Sequence, residues 1–419
     1  MEIWLLHVGE LLPIDGDVRP FRYGILADTL TQRGHKVVRW APTFIHAYKK
    51  QRALRDKSIW VNSNYRIELV YAQGYRRNVS FQRWMFHREI EKKLRHRLSQ
   101  QASHPDIILA GIPTPGMCLV ALEYARQHNI PFVVDVRDLW PDIYLSILPK
   151  PLHLHPLANI ILWPAHRRNK RLFQKASAIF AVSERYLRWG LRYANRQQRC
   201  VDKVFPLGYP ERSFSPQEIE AGKKFLAQKG VDFRKQIVSF LGQFESSYDL
   251  ETVIEAARKL EGKGIKEVQF VLCGSGSKEK ALKKLASGLS NVVFPGWVSA
   301  SVIYALMQES KIGLAPYTSK ALQSLPNKPI EYMAGGLAVI SSLQGELPQL
   351  LREYNCGITY PPGDSGELAA ILEHLVAQPS LLKKMGRNAR SLFERQFSVE
   401  RIYPKMADYL EQISRGWKC

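Results

Sequence analysis

SLPNKPIEYMAGGLAVIS, residues Ser324 to Ser341, reads as a loop, a two-turn helix and a buried strand. Asn327 is placed to cap the helix. Pro329 falls in its first turn, where amides have no intrahelical acceptor and a residue without an N–H is tolerated. Gly335 and Gly336 supply a left-handed stop, and Leu337 to Ile340 is the unbroken apolar run of a strand covered on both faces. A strand covered on both faces implies a parallel sheet between helix layers, so this stretch points to an α/β fold.

The same stretch carries chemistry. A helix N-terminus beside Lys328 favours a diphosphate through its amides, its dipole and a fixed cation, and Glu331, one turn further in, is left to accept hydrogen bonds from ribose hydroxyls. Both charges also suit the first turn of a plain surface helix, so the neighbouring segments have to decide. Three of them end in glycine turns after apolar strands: Gly242-Gln243 after Ile237 to Leu241, Gly274-Ser275-Gly276 after Val268 to Cys273, and Gly296-Trp297-Val298 after Asn291 to Phe294. A glycine there permits close approach of backbone to a ligand. In register with Pro326, Asn327, Lys328 and Glu331, the three turns outline one nucleotide site, with Gln243, Ser275, Trp297 and Val298 as further donor contacts.

Further outward, strands and amphipathic helices alternate in two runs. The second continues through Ile312 to Pro316, Ala338 to Ser341 and Ile358 to Tyr360. The first has strands at Ile3 to Val8, Lys36 to Trp40, Ile67 to Ala72, Asp106 to Ala110, Phe132 to Val136 and Ala178 to Val182, with a helix near Arg22 to Arg33 closed by Gly34. Between the runs, FPLGYPERSFSP (Phe205 to Pro216) reads as a linker. The expected architecture is two doubly wound Rossmann-like domains facing a cleft, over residues 1–207 and 208–397, with ligands beyond the carboxyl ends of the strands. A last helix over 398–419 carries Ile402, Met406, Tyr409, Leu410 and Ile413 on one stripe, able to pack back on either domain, the N-terminal one included.

With 419 residues and 45% hydrophobic content the chain can core two such domains, which excludes a disordered or fibrous protein. Its net charge of +22 is uneven: residues 1–210 hold 33 Lys and Arg against 16 Asp and Glu, the remainder 27 against 22. Lys49 to Arg97 alone has 14 basic and 4 acidic residues, interleaved with Trp60, Tyr65, Tyr71, Tyr75, Phe81, Trp84, Met85 and Phe86. Basic charge with aromatics suits an anionic membrane face or nucleic acid, and no nucleic-acid motif accompanies it. The five cysteines lack any C-x-x-C spacing, which argues for reduced thiols in the cytosol and against zinc. Glu2 stands where a signal peptide needs positive charge, and Leu154 to Ala165, broken by two prolines, is about half the roughly 20 residues of a membrane span. His153, His155 and His166 in that basic, proline-rich segment suit an interface better than a metal.

RGHKVVRW (Arg33 to Trp40), ASAIFAVSE (Ala176 to Glu184), FPLGYP, FLGQFESSYDLETVIEAARKL (Phe240 to Leu260), FVLCGSG, VVFPGWV and above all NKPIEYMAGGLAVI resemble the retaining glycosyltransferases of family 4, which have the GT-B fold. The resemblance implies a nucleotide-sugar donor, uridine ahead of guanosine, held by the second domain, with Glu331 on the ribose. It also implies a metal-independent reaction with retention and no cofactor. VVDVRDLWPD (Val133 to Asp142) resembles the subgroup that builds bacterial surface polysaccharides such as O-antigen, capsule and exopolysaccharide. That points to hexosyl or N-acetylhexosaminyl transfer to a polyprenyl-diphosphate-linked acceptor, by a peripheral protein on the inner face of the cell membrane. Two departures matter. Gln323 stands where many members carry a glutamate eight positions before the one matching Glu331, and Gln243, Glu245 and Tyr248 occupy a loop where many have Arg and Lys. Lys328 is therefore expected to be the main diphosphate cation.

Arg137-Asp138 ends a first-domain strand where relatives often have His-Asp. Asp138 is expected to orient acceptor or donor hydroxyls, as a base or otherwise, or else to form an ion pair with Arg137 or Arg167. Gly9 and Gly16 are expected to keep the first loop close to the substrates. Asp15-Gly16-Asp17 looks like a metal-binding Asp-x-Asp, although its place after the first strand fits a turn better. The alternatives are a nucleotide-sugar epimerase, a catalytically silent GT-B scaffold and, from another class, a nucleic-acid-binding protein.

Overall fold

The computed structural model describes residues 1–16, 19–78, 80–113, 115–147 and 156–416. The chain forms two compact units, Met1–Pro206 with Val399–Cys419, and Leu207–Ser398.

The first unit runs β1 (Glu2–Leu6), α1 (Arg22–Gln32), β2 (Lys36–Pro42), β3 (Phe44–Ile45), β4 (Lys50–Gln51), β5 (Lys57–Asn62), β6 (Tyr65–Val70), α2 (Phe81–Ser99), β7 (Ile107–Ile112) and α3 (Pro115–Gln127). It continues through β8 (Phe132–Val136), α4 (Ile143–Ile147), α5 (Pro156–Lys175), β9 (Ala178–Ala181), α6 (Glu184–Ala194) and β10 (Lys203–Val204). Eight strands pair in the order β10-β9-β8-β7-β1-β2-β6-β5, all parallel except β5, which runs antiparallel along β6. The strand order reverses at β1, the topological switch point where open α/β sheets bind ligands. β7 and β8 are buried at every position, the continuous apolar signature that makes a parallel sheet readable. β5 is the opposite case. KSIWVN is exposed along nearly its whole length, with Trp60 resting under the Arg66 guanidinium at 5.4 Å, so it offers no burial pattern to read.

The basic, aromatic stretch contains α2, whose buried stripe is Phe86, Ile90, Leu94 and Leu98. Ser80 caps it by accepting from the Arg83 amide at 3.2 Å. Burying four such side chains stabilises the helix by about 1.5–3 kcal/mol each, which outweighs the repulsion among exposed cations that salt screens.

The second unit runs α7 (Pro216–Gln228), β11 (Gln236–Leu241), α8 (Leu250–Gly262), β12 (Val268–Cys273), α9 (Glu279–Leu285), β13 (Val292–Gly296), α10 (Ala300–Glu309) and β14 (Ser310–Ala315). Then come α11 (Asn327–Ala334), β15 (Ala338–Ser341), α12 (Glu346–Glu353), β16 (Gly357–Thr359), α13 (Ser365–Val376) and α14 (Pro379–Gln396). Its six parallel strands follow the order β13-β12-β11-β14-β15-β16, so the switch point lies between β11 and β14. α7 starts with a full capping box between Ser215 and Glu218, the P-Q-E after Ser215 giving both the proline at the first helical position and the glutamate at the third.

α15 (Val399–Ser414) returns to the first unit, where Ile402, Tyr403, Met406, Leu410 and Ile413 join the core with Leu26 and Leu30 of α1. Its outer edge is tied by Arg33 to Asp408 at 2.6 Å and by His35 to Glu411 at 3.0 Å. Cys118, Cys273 and Cys356 are free and buried. Cys200 is disulfide-bonded, against the expectation of reduced thiols throughout. Asp17, His153, His155 and Cys419 lie outside the described residues. No helix among the described residues is long and apolar enough to cross a membrane.

Candidate functional site

In the second unit, the carboxyl ends of β11, β12, β13 and β14 bring the glycine turns and α11 together. The turns are laced to one another. Gly242 N donates to Cys273 O at 2.9 Å, Phe244 N to Ser275 O at 2.8 Å, and Gly274 N to Gly296 O at 2.8 Å. A Cβ on Gly274, whose φ is +146°, would stand 1.7 Å from Gly242 O. This glycine is required by the approach of one backbone to another, before any ligand is considered. A Cβ on Gly242, at φ +151°, would stand 1.8 Å from the Lys328 ammonium. Glycine there makes room for the cation.

Lys328 reaches back from α11 to donate to the Leu241 carbonyl. Its Nζ lies 4.9 Å from the Phe240 ring centroid and 4.7 Å from that of Tyr248. Two aromatic faces and a carbonyl hold the charge in one place, at the switch point. The helix start differs from expectation in one respect. Pro326, not Asn327, is the N-cap, and no side chain caps the helix, so Asn327 is its first helical residue. With proline at the N-cap, 326, and again at 329, neither position has an N–H, and the N–H groups that open the helix are those of Asn327 and Lys328. The left-handed stop is Gly336 alone, at φ +69°, while Gly335 is right-handed.

Glu331 is half-buried one turn on, and its charge, after burial, helps raise the phenol pKa values of Tyr248 and Tyr332. The Tyr332 hydroxyl accepts from the Leu241 amide at 3.1 Å, which locks α11 to the end of β11. Tyr248 and Tyr317 pair as an isolated bridge with rings 5.1 Å apart, joining the loop after β11 to the loop after β14. Neither tyrosine is singled out by sequence spacing. Gln243 is exposed, Ser275 half-buried, Trp297 71% exposed, and Val298 turns into the core. Of the turn after β13, Trp297 is thus the residue presented outward. Gln323 has its side-chain oxygen buried without a hydrogen-bond partner among the described residues. Glu245 accepts from Ser277 N at 3.1 Å and Ser277 Oγ at 2.7 Å, bracing the first two loops instead of facing outward.

The first unit has its own cluster at the ends of β1, β7 and β8. Glu10, buried, accepts from Arg39 at 2.9 Å, from the Tyr23 amide at 3.0 Å and from Arg137. Arg137 is therefore held inside the protein by Glu10, its guanidinium 5.4 Å from the Tyr23 ring. The ion pair of Asp138 with Arg137, one of the two expected readings, is therefore not formed. Asp138 has no ion-pair partner among the described residues; its Oδ1 accepts from the Leu139 amide at 2.8 Å. Arg167 lies over Trp163 at 5.3 Å. Burial raises the Asp138 pKa, against the Leu139 amide, Arg83 and Arg137, which favour the charged form.

His7, at the end of β1, accepts from Gly9 N at 3.2 Å through Nδ1. Burial, then Arg137, Arg39 and Arg22, push its pKa well down, so it is neutral at physiological pH. Behind it, Arg22 and Asp135 form a buried pair at 2.8 and 2.9 Å, with Arg22 also donating to Phe205 O at 2.7 Å. The one sequence signal for this cluster is Asp135, a carboxylate inside the apolar run FVVDV, which needs a partner. Gly9 and Gly16 are both exposed, and a Cβ on Gly16, at φ +100°, would meet nothing within 4 Å. Asp15 is occupied by Arg52 at 2.6 and 2.7 Å and by the Leu12 amide at 2.8 Å, which makes it the turn residue of the two readings.

Residues 223–392, which contain every donor-side residue named above, match the family described as glycosyl transferases group 1. The chain is similar to alpha-D-kanosaminyltransferase of Streptomyces kanamyceticus, 26% identical over 294 residues, 69% of this chain and 72% of that relative. It is similar also to the putative colanic acid biosynthesis glycosyltransferase WcaL of Escherichia coli, 25% identical over 58% of this chain and 59% of the relative. Among solved structures, sucrose-phosphate synthase of Thermosynechococcus elongatus aligns over 99% of this chain and 100% of its own at 18% identity, TM-score 0.72. Anabaena HepE in complex with UDP aligns over 98% and 100% at 17% identity, TM-score 0.65. The fold is GT-B.

Proposed function

We propose that the protein is a retaining glycosyltransferase that moves a hexosyl or N-acetylhexosaminyl group from a nucleotide-sugar, uridine in preference to guanosine, to a polyprenyl-diphosphate-linked saccharide. Bacterial surface polysaccharide is the product class. The observation that carries this reading is the convergence of the caged Lys328 ammonium and the two opening α11 amides beside Gly242, at the switch point of a glycosyl transferases group 1 segment. The donor diphosphate would sit on those groups and the ribose on Glu331. The acceptor hydroxyl attacks the anomeric carbon from the face the nucleotide leaves. Negative charge grows on the departing diphosphate, so a cation and amides already fixed in place lower the barrier without reorganising. Asp138, half-buried and unpaired by any arginine among the described residues, orients a sugar hydroxyl or takes its proton; a pKa raised by desolvation suits a base. Under this reading the reaction needs no cofactor.

Association with the inner face of the cell membrane is part of this reading. It is supported by α2 and α5, which together carry 11 Lys and Arg against 2 Asp and Glu and expose Phe81, Trp84, Met85, Ile160, Ile161 and Trp163. Binding to vesicles with anionic lipid should fall as salt rises; salt-independent binding would remove this part. The donor part is tested by thermal shifts with UDP, GDP, ADP and their sugars, since ligands of the folded state raise Tm. The uridine compounds should shift the wild type, and Lys328→Ala should lose at least tenfold in affinity. An unchanged shift and unchanged sugar transfer in Lys328→Ala and Glu331→Ala would refute the site.

A further inference from the structure

Within the first unit, a cavity of about 450 Å³ opens between α2, α3 and α5. Its size falls in the range of roughly 300–1,000 Å³ typical of small-molecule sites. One part of its wall is apolar, including Ile90, Met117, Trp140, Pro141 and Pro164; the other carries Arg83, Arg88, Arg168 and His87, with Glu91 as its acidic member. Glu91 is paired with Arg168 at 2.7 Å and more loosely with Arg88 at 3.8 Å, one carboxylate against three arginines, so the wall keeps a net positive charge. Arg83 lies 5.3 Å from the Trp140 ring and 5.6 Å from that of Tyr75, and its Nε is buried without a partner among the described residues. His87 Nε2 is likewise buried and unpartnered there. Two unsatisfied polar groups beside an apolar wall are costly unless a ligand answers them.

At the rim, Trp84 is 55% and Ile161 75% exposed. Phe81 stacks on Trp84 at 5.4 Å, and Ile160 and Trp163 extend the same apolar rim along α5. α5 is divided along its length, with its exposed apolar residues before Arg167 and five Lys and Arg from there to Lys175, without one Asp or Glu. That is the arrangement of a segment whose tip meets hydrocarbon while its cations lie at the level of lipid phosphates.

The geometry points to this cavity as the seat of a membrane-borne phosphate ester of a long hydrocarbon, its first carbons against the apolar wall and its phosphate on Arg83, Arg88 and His87. It rests on the lipid-linked acceptor proposed above and says where the lipid end of that acceptor is held.

Farnesyl diphosphate, below its critical micelle concentration and with saturating UDP present, is the probe; binding to the full chain is read by calorimetry. It should bind at least tenfold more tightly than pyrophosphate or farnesol. Ala165→Trp, which fills the cavity, should weaken it at least tenfold, and Lys328→Ala should leave it unchanged. Should Ala165→Trp fail to fold, Trp84→Ala on the exposed rim should weaken binding at least threefold. Equal binding of pyrophosphate or of farnesol, indifference to the variant tested, or loss in Lys328→Ala would each overturn the inference. The uridine thermal shift reads the donor site separately. If it is absent while farnesyl diphosphate binds here, the donor assignment fails and this cavity stands; the converse overturns this inference alone.

Discussion

Gly274→Ala tests whether the glycine turns are a self-supporting backbone assembly. The added Cβ would lie 1.7 Å from Gly242 O, where a carbon–oxygen contact needs about 3.3 Å. Backbone is on both sides, so the turns after β11 and β12 must separate by about 1.5 Å. That separation breaks two of the three hydrogen bonds among the turns, at about 1 kcal/mol each. Forcing alanine to φ +146° adds about 1–3 kcal/mol. The expected loss is about 3–5 kcal/mol, a large share of the roughly 5–15 kcal/mol that stabilises a domain, with Tm lower by about 10 °C. Gly242→Ala is the control. Its Cβ meets the far end of a flexible lysine, which can swing away, so the strain remains but the backbone need not part. It should cost about 1–3 kcal/mol in urea unfolding while displacing Lys328 Nζ and weakening UDP binding. The reasoning is refuted if Gly274→Ala unfolds within about 1 kcal/mol of wild type, or if Gly242→Ala is the less stable of the two.

In the first unit, Asp135→Ala leaves Arg22 charged and buried, and urea unfolding should show a loss of about 3–5 kcal/mol; a loss below about 1 kcal/mol would mean water reaches the guanidinium. Asp138→Asn separates stability from function. A carboxyl whose folded pKa is raised by burial opposes folding once pH exceeds its unfolded value, and the penalty is complete above the folded pKa. The asparagine variant should therefore gain stability relative to wild type as pH rises from about 3 to neutrality, while its transfer rate falls. A pH-independent stability difference would contradict the raised pKa, and an unchanged transfer rate would remove Asp138 from the reaction.

The parallel strands were legible because burial on both faces leaves an unbroken apolar run; Phe132–Val136, Val268–Cys273 and Ala338–Ser341 are read from sequence with the bounds the structure has. β5 is an edge strand whose pairing comes from Tyr65–Val70 across a turn and not from its own residues, so nothing local announces it. α2 did carry a signal, apolar residues four apart from Phe86 to Leu98, but the density of charge around it reads first as surface. In the candidate site, Lys328, Glu331 and the glycine turns lie on consecutive strand ends and can be found by register. The Glu10, Arg39 and Arg137 cluster is assembled from the loop after β1, from β2 and from the end of β8, with Glu10 and Arg137 127 residues apart, and only the fold brings it together. Nor does spacing reveal that Pro326 takes the N-cap of α11 in place of Asn327, or that Lys328 turns back onto its own sheet.

The first unit is made of two pieces of chain, and α15 supplies Ile402, Tyr403, Met406, Leu410 and Ile413 to its core. During synthesis residues 1–206 therefore emerge with an apolar face on α1 still uncovered, and remain so while all of Leu207–Ser398 is made. The second unit, continuous in sequence, is free to fold as soon as it is out, so the unit that begins first is finished last. For that interval the uncovered face is a site for chaperones or for self-association, and a truncation before Val399 would make the interval permanent.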